Sequence, residues 1–216
     1  MDEYFIGVDD AGRGPVIGPM ILAGILIKKE EEKELKKLGV KDSKQLFPST
    51  RKRIGDELKK KYKYFLQEVS PKEIDDCVNL NILEAERMAV IINALSKDID
   101  GKITAFVDCP STNIKKWKSL LKNLLLRNDI ELVIEHKADV KYPVVSAASI
   151  IAKEKREEEV RNLKRKFNVD FGSGYPSDPI TIDFIKKNFS NKNFNEIIRF
   201  SWATVKNLKE KQRKLF

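Results

Sequence analysis

The sequence predicts an α/β protein: a mixed five-stranded sheet flanked by helices, with a helical C-terminal extension. Three observations carry this. Short apolar runs rich in Ile, Val and Leu recur at residues 4–9, 18–28, 64–69, 103–108 and 130–135. Three of these strands cluster early and the later ones alternate with helices, which calls for a mixed sheet covered by helices. At 216 residues and 41% hydrophobic content, the chain is long enough to bury a sizeable core.

The elements follow in order. Residues 4–9 read as a buried strand ended by acid and glycine. After an uncharged run, residues 18–28 form a second strand. "KEEEKELKKL" is helical and solvated, with Gly39 as its C-cap. "VKDSKQLFPS" is a loop, and Ser49 caps a helix that runs to about Lys61. Residues 64–69 are the third strand. Ser70-Pro71-Lys72-Glu73 is a Ser cap with Pro at the first helical position and an acid behind it. Asn81 opens the amphipathic helix "NILEAERMAVIINAL". Residues 103–108 form a strand that ends in an aspartate, a helix spans about residues 113–126, and residues 130–135 form the fifth strand. A long helix follows from Pro143 to about Lys166, small and apolar at first ("VVSAASIIA") and then charged. "FGSGYPSDP" is a glycine and proline loop. Short helical pieces near 179–188 and 193–200 and a basic tail complete the chain. The expected division is 1–168 for the sheet domain and 169–216 for a C-terminal helical region.

Charge and composition narrow the function. The chain has 42 basic and 33 acidic residues, a net charge of +9. That points to a polyanionic partner, nucleic acid before membrane, with a merely solvated lysine-rich surface an alternative of equal weight on charge alone. Cys77 and Cys109 lie far apart and match no metal spacing, which reads as a reducing compartment. No basic region followed by a long apolar stretch opens the chain, and residues 15–27 are too short to span a bilayer. A cytoplasmic protein with no membrane partner is expected.

The acids at strand ends carry the chemistry. Asp9 and Asp10 follow the first strand, Asp108 the fourth, and Asp139 lies just past the fifth. If these strand ends converge, four carboxylates meet at one sheet edge and repel unless a cation neutralises them. All-oxygen ligation suits Mg2+ or Mn2+, and two such ions can activate water and stabilise the leaving oxygen of a phosphodiester. A single aspartate is more often a turn or cap residue. Adjacent acids at a core edge are costly, which weakens that reading for Asp9 and Asp10. His136 is the only histidine, so paired-histidine cleavage through a 2'-hydroxyl is excluded and a Ser-His-Asp triad has no obvious nucleophile motif. "GRGPVIG" is not a dinucleotide fingerprint, because extended chain rather than a helix follows it.

"GVDDAGRGPVIGPM", "KDSKQL", "VDCPST", "HKADVKYPVVSAASIIAK" and "GSGYPSDP" resemble the ribonuclease HII family (type 2 ribonuclease H) in its archaeal and eukaryotic-like form. The blocks stand in the family's order across roughly residues 5–187. The resemblance implies a ribonuclease H-like fold. It also implies hydrolysis of the RNA strand of RNA/DNA hybrids, and incision 5' to ribonucleotides embedded in duplex DNA. Products would carry a 3'-hydroxyl and a 5'-phosphate, in the service of ribonucleotide and primer removal.

By the same resemblance the four metal-binding acids fall on Asp9, Asp10, Asp108 and Asp139, with Asp9 bridging two ions. The turn that approaches the 2'-hydroxyl falls on Gly12, Arg13 and Gly14. Glycine lets backbone come close, and the 2'-hydroxyl separates RNA from DNA. Tyr175 matches the tyrosine that packs on the deoxyribose after the ribonucleotide. Lys41, Lys44, Ser146, Ser149 and Lys153 are candidate phosphate contacts.

The family places Glu where Asp10 stands, so this ligand loses one methylene of reach. A catalytically weak hybrid-binding protein is therefore one alternative, and another nuclease of the same fold, such as a junction resolvase, is a second. The archaeal-like form implies a monomer. The tail "KQRKLF" resembles the start of a sliding-clamp motif, with Gln212 and Leu215 at matching spacing, but stops before the paired aromatics such motifs carry. A basic tail tracking nucleic-acid backbone is the simpler expectation.

Overall fold

The apolar runs become β1 (Glu3–Ala11), β2 (Met20–Lys28), β3 (Lys63–Val69), β4 (Lys102–Asp108) and β5 (Glu131–Glu135). They form one sheet in the order β3-β2-β1-β4-β5. β1 pairs antiparallel with β2 and parallel with β4, and β4 pairs parallel with β5. This computed structural model describes residues 2–40 and 46–213, with side chains up to residue 210. The helices are α1 (Glu32–Lys37), α2 (Pro48–Lys61), α3 (Pro71–Asp76), α4 (Leu80–Ser96), α5 (Ile114–Leu124), α6 (Ala138–Lys141), α7 (Pro143–Phe167), α8 (Pro179–Asn188) and α9 (Ala203–Arg213).

The chain falls into two units. One comprises Met1–Ala11, Ile21–Gln67 and Asn79–Glu154, and the other Gly12–Met20, Glu68–Val78 and Lys155–Phe216. In the first unit the sheet is covered on both faces. Strand alternation sends Gly7, Asp9 and their β2 partners Ile25 and Ala23 to one face. There Ile25 and Ala23 pack with Val144, Ala147, Ala148 and Ile151 of α7. A Cβ at Gly7 would meet the Val144 carbonyl oxygen at 2.2 Å, so the helix start lies directly on the strand. On the other face Gly24 receives Ile91 and Leu95 of α4. Arg51 of α2 and Glu154 of α7 form a buried ion pair at 2.8 Å.

The second unit has its own core of Val16, Ile17, Phe171, Phe184, Ile185, Phe194, Ile197, Ile198 and Val205. Surface cations are repeatedly answered by an acid one helical turn away: Lys52 with Asp56, Arg53 with Glu57, Lys72 with Asp76, Lys155 with Glu159 and Lys187 with Asp183.

Local expectations shift in four places. Pro48 starts α2 one residue ahead of Ser49, and Phe47 precedes it without a side-chain cap, because Pro is preorganised for the first helical position. Asn79, not Asn81, caps α4 by accepting from the Asn81 amide. Residues 193–200 form only a short 3-10 turn (Lys192–Phe194) followed by further turns and a single β-bridge residue, Ile198. The basic tail is helical over Ala203–Arg213, with Val205 anchored in the core. Among the described residues no helix is long and apolar enough to cross a membrane.

Candidate active site

Asp9 lies in β1, two residues from the strand's end, and Asp108 closes β4. Parallel pairing reaches Val8 opposite Val107, so the next residue of each strand is an aspartate. Asp9 is 5% exposed. Its carboxylate accepts the Asp10 amide at 2.8 Å and the Ser149 hydroxyl from α7. Burial, reinforced by the neighbouring charges of Asp10 and Asp108, pushes the Asp9 carboxyl well above the usual carboxylate range. Strand alternation sends Asp10 to the face opposite Asp9.

The segment that carries Asp139 is tied to the end of β4 through its neighbour. The Asp108 carboxylate accepts the Ala138 amide at 2.7 Å, which ties the start of α6 to β4. Lys137, in the left-handed region at φ 58°, makes the turn, and Asp139 follows on α6 with its side chain buried. His136 Nδ1 lies 3.0 Å from the Cys109 carbonyl, a contact between the residues that follow β5 and β4.

The second unit builds the turn and the tyrosine together. Gly12 has φ +88°, and a Cβ there would meet Arg156 Cδ at 2.5 Å and the Pro19 carbonyl at 2.9 Å, so only glycine fits. Gly14 is exposed, and a Cβ there would touch only Tyr175, at 3.8 Å. The Tyr175 ring is 39% exposed, with the Arg156 guanidinium 4.9 Å from its centre. Its loop is braced from within: the Ser173 amide donates to Asp178 at 2.6 Å, and Gly174 donates to Thr181 Oγ1 at 3.0 Å.

The remaining candidates are placed as follows. Ser146 and Ser149 are buried in α7, with the Ser149 hydroxyl turned to Asp9. Lys153 is half-buried on the same helix. Lys41, Lys44 and Leu215 lie outside the described residues, as does the side chain of Gln212. Sequence reasoning missed Arg156 and Arg199. Arg199 is fully buried beside the turn, and the signal for it was an arginine set among apolar residues in "IIRFSW".

The donor chemistry of the acids fits a hard divalent cation: carboxylates only, one of them buried against like charge. Among the described residues no three His, Cys, Asp or Glu side chains stand close enough to form a ready ligand cage.

A sheet of this order with helices on both faces and aspartates at its central strand ends is a ribonuclease H-like fold. The chain matches the Ribonuclease HII family model over residues 6–205 and belongs to that family. It is 42% identical to the ribonuclease HII of Methanocaldococcus jannaschii over 225 residues, covering 97% of each chain. Among solved structures it resembles the ribonuclease H2 of Pyrococcus horikoshii, with a TM-score of 0.87, 41% identity and coverage of 98% and 99%. It also resembles the ribonuclease HII in a PCNA:RNase HII complex from Archaeoglobus fulgidus, with a TM-score of 0.83, 39% identity and coverage of 98% and 100%. The protein is thus an endonuclease that hydrolyses the RNA strand of RNA/DNA hybrids, in a family that uses divalent metal ions.

Proposed function

We propose that the chain incises duplex DNA 5' to single embedded ribonucleotides as well as cleaving RNA/DNA hybrids, and that it leaves 3'-hydroxyl and 5'-phosphate ends. Asp9, Asp10, Asp108 and Asp139 would hold two divalent ions, Mg2+ or Mn2+. Bound there, the ions supply an activated water and stabilise the leaving oxygen. The observation that carries this reading is the buried Asp9 carboxyl with Asp10 and Asp108 as charged neighbours. Ser149 holds Asp9 in place by its hydroxyl, and the Ala138 amide holds Asp108.

Substrate choice falls to the second unit. The Gly12-Arg13-Gly14 turn reads the ribose 2'-hydroxyl, and the exposed Tyr175 ring beside Gly14 packs on the next sugar, where an added hydroxyl is unwelcome. The test is a duplex carrying one ribonucleotide beside the same duplex in DNA alone, in Mg2+ and in Mn2+, with products mapped at nucleotide resolution. Incision 5' to the ribonucleotide and none of the DNA control is expected. Cleavage of the DNA control refutes the reading, and binding without turnover in both metals points instead to a hybrid-binding protein.

A sliding clamp is the proposed protein partner, supported by the complex of the Archaeoglobus fulgidus relative with PCNA. Clamp binding that survives removal of residues 211–216 dismisses the tail as its site.

A further inference from the structure

Residues 199–202 grip the Gly12-Arg13-Gly14 turn from one side. Arg199 is fully buried and spends its guanidinium on three carbonyls: Nη2 donates to Gly12 at 2.7 Å, Nη1 to Arg13 at 3.0 Å and Nε to Gly18 at 2.9 Å. Its own amide donates to the Val16 carbonyl at 2.9 Å. Its Cζ lies 5.2 Å from the centre of the Trp202 ring, and Trp202 Nε1 donates to the Gly14 carbonyl at 3.3 Å. The grip is itself anchored. The Asp75 carboxylate accepts the amides of Phe200 and Ser201 at 2.7 and 2.9 Å, and the Ser201 hydroxyl at 2.5 Å.

A trans peptide points its C=O and N–H in opposite directions, and no peptide bond described here is cis. Drawing the Gly12 carbonyl toward Arg199 therefore turns the Arg13 N–H away from it. Drawing in the Arg13 carbonyl does the same for the Gly14 N–H. The second of these amides belongs to an exposed residue. The result is two neighbouring donors aimed the same way, suited to a single oxygen acceptor.

We propose that Arg199 is a positioning residue that aims the Arg13 and Gly14 amides at the substrate's ribose 2'-hydroxyl by holding the opposite carbonyls. This rests on the role given to the turn above. The guanidinium reaches the three carbonyls from three nitrogens fixed in one plane; lysine keeps the charge and three donors, but on a single nitrogen at the end of a flexible stem, so it does not hold the carbonyls at the same positions.

The test compares the full chain with Arg199→Lys. Two readouts are taken: the 15N–1H resonances of Arg13 and Gly14, and kcat/KM on a single-ribonucleotide duplex set beside affinity for the all-DNA duplex. The expected result is displaced Arg13 and Gly14 resonances with those of β4 unmoved. With it, kcat/KM should fall about 10²-fold, the usual cost of an ångström-scale misplacement, at unchanged all-DNA affinity. Unmoved resonances, unchanged kcat/KM, or a matching loss of all-DNA affinity overturns the proposal. If Arg199→Lys does not fold, Asp75→Asn loosens the same anchor without touching Arg199, and the same pattern in weaker form is expected. If the wild-type Arg13 and Gly14 resonances respond alike to both duplexes, the role of the turn fails. The free-protein resonances of the variant still decide whether Arg199 positions it.

Discussion

Gly7→Ala should damage catalysis more than its single methyl suggests. The added Cβ would stand 2.2 Å from the Val144 oxygen, 2.3 Å from its carbonyl carbon and 2.7 Å from the Val145 nitrogen, all backbone atoms. Going from 2.2 Å to an ordinary 3.4 Å contact means a retreat of about 1.2 Å by the start of α7. Overpacking of this kind costs about 1–3 kcal/mol of stability. The same helix carries Ser149, whose hydroxyl holds Asp9, so the retreat also loosens the acid site. A displacement near 1 Å in reacting groups costs about 10²-fold in rate, or about 2.7 kcal/mol in the barrier. Gly24→Ala is the matched control: its Cβ would also come within 2.2 Å of a neighbour, but that neighbour is a side-chain atom, the Cγ2 methyl of Ile91, on the other face. The assays are denaturant unfolding and single-turnover cleavage of a uniform hybrid at saturating enzyme. Both variants should lose stability, and only Gly7→Ala should lose two orders of magnitude in rate. Equal rate losses in the two variants, or a Gly7→Ala enzyme of normal rate, would refute the reasoning.

Three further predictions concern single side chains. Asp10→Glu restores a methylene of reach and should shift metal preference from Mn2+ toward Mg2+; the same ratio of rates in the two metals for both proteins counts against it. Tyr175→Ala should lower incision at a ribonucleotide junction more than cleavage of a uniform hybrid, and a proportional loss on both substrates would show that the ring does not read the junction. Partial desolvation raises the carboxyl of the otherwise exposed Glu68 above its usual range, with Glu159 adding to the effect. An acid whose native pKa exceeds its unfolded value favours the fold when protonated, and that benefit is lost as pH rises through the native pKa. Glu68→Gln should therefore raise Tm at neutral pH and leave it unchanged below the unfolded carboxyl pKa of about 4.3. No gain at neutral pH contradicts this assignment.

Much of the first unit was legible because its signals are local. All five strands announce themselves as short apolar runs, and a local signal of the second unit, the Ser70 cap, also appears as written, with Glu73 reaching back to the Ser70 amide at 2.8 Å. The candidate acids were legible as residues at or just past the ends of apolar runs. Their partners were not. Ser149 reads as a small residue on an apolar helix face, and only the tertiary structure turns its hydroxyl to Asp9. The second unit was harder still, because Gly12–Met20, Glu68–Val78 and Lys155–Phe216 are far apart in the chain. Nothing in the spacing of Arg199 and Gly12 says that one holds the other; that is a long-range hydrogen bond with no periodic trace. The α9 helix was hidden by its charge, since among its described side chains Val205 and Leu208 pack against the core and much of the rest is lysine.

The acid partners of the surface cations have a thermodynamic consequence. Lys52, Lys72, Lys155 and Lys187 each face a carboxylate one turn away, so these faces neutralise themselves at short range. When the protein meets a duplex, each phosphate it neutralises releases about 0.9 of a condensed counterion. A lysine already answered by its own helix displaces fewer ions than a lysine facing solvent alone. The slope of log affinity against log salt should then fall short of what 42 basic residues suggest. What it counts is the smaller set of cations that touch the backbone of the nucleic acid, and the protein's hold on its substrate tolerates salt to that degree.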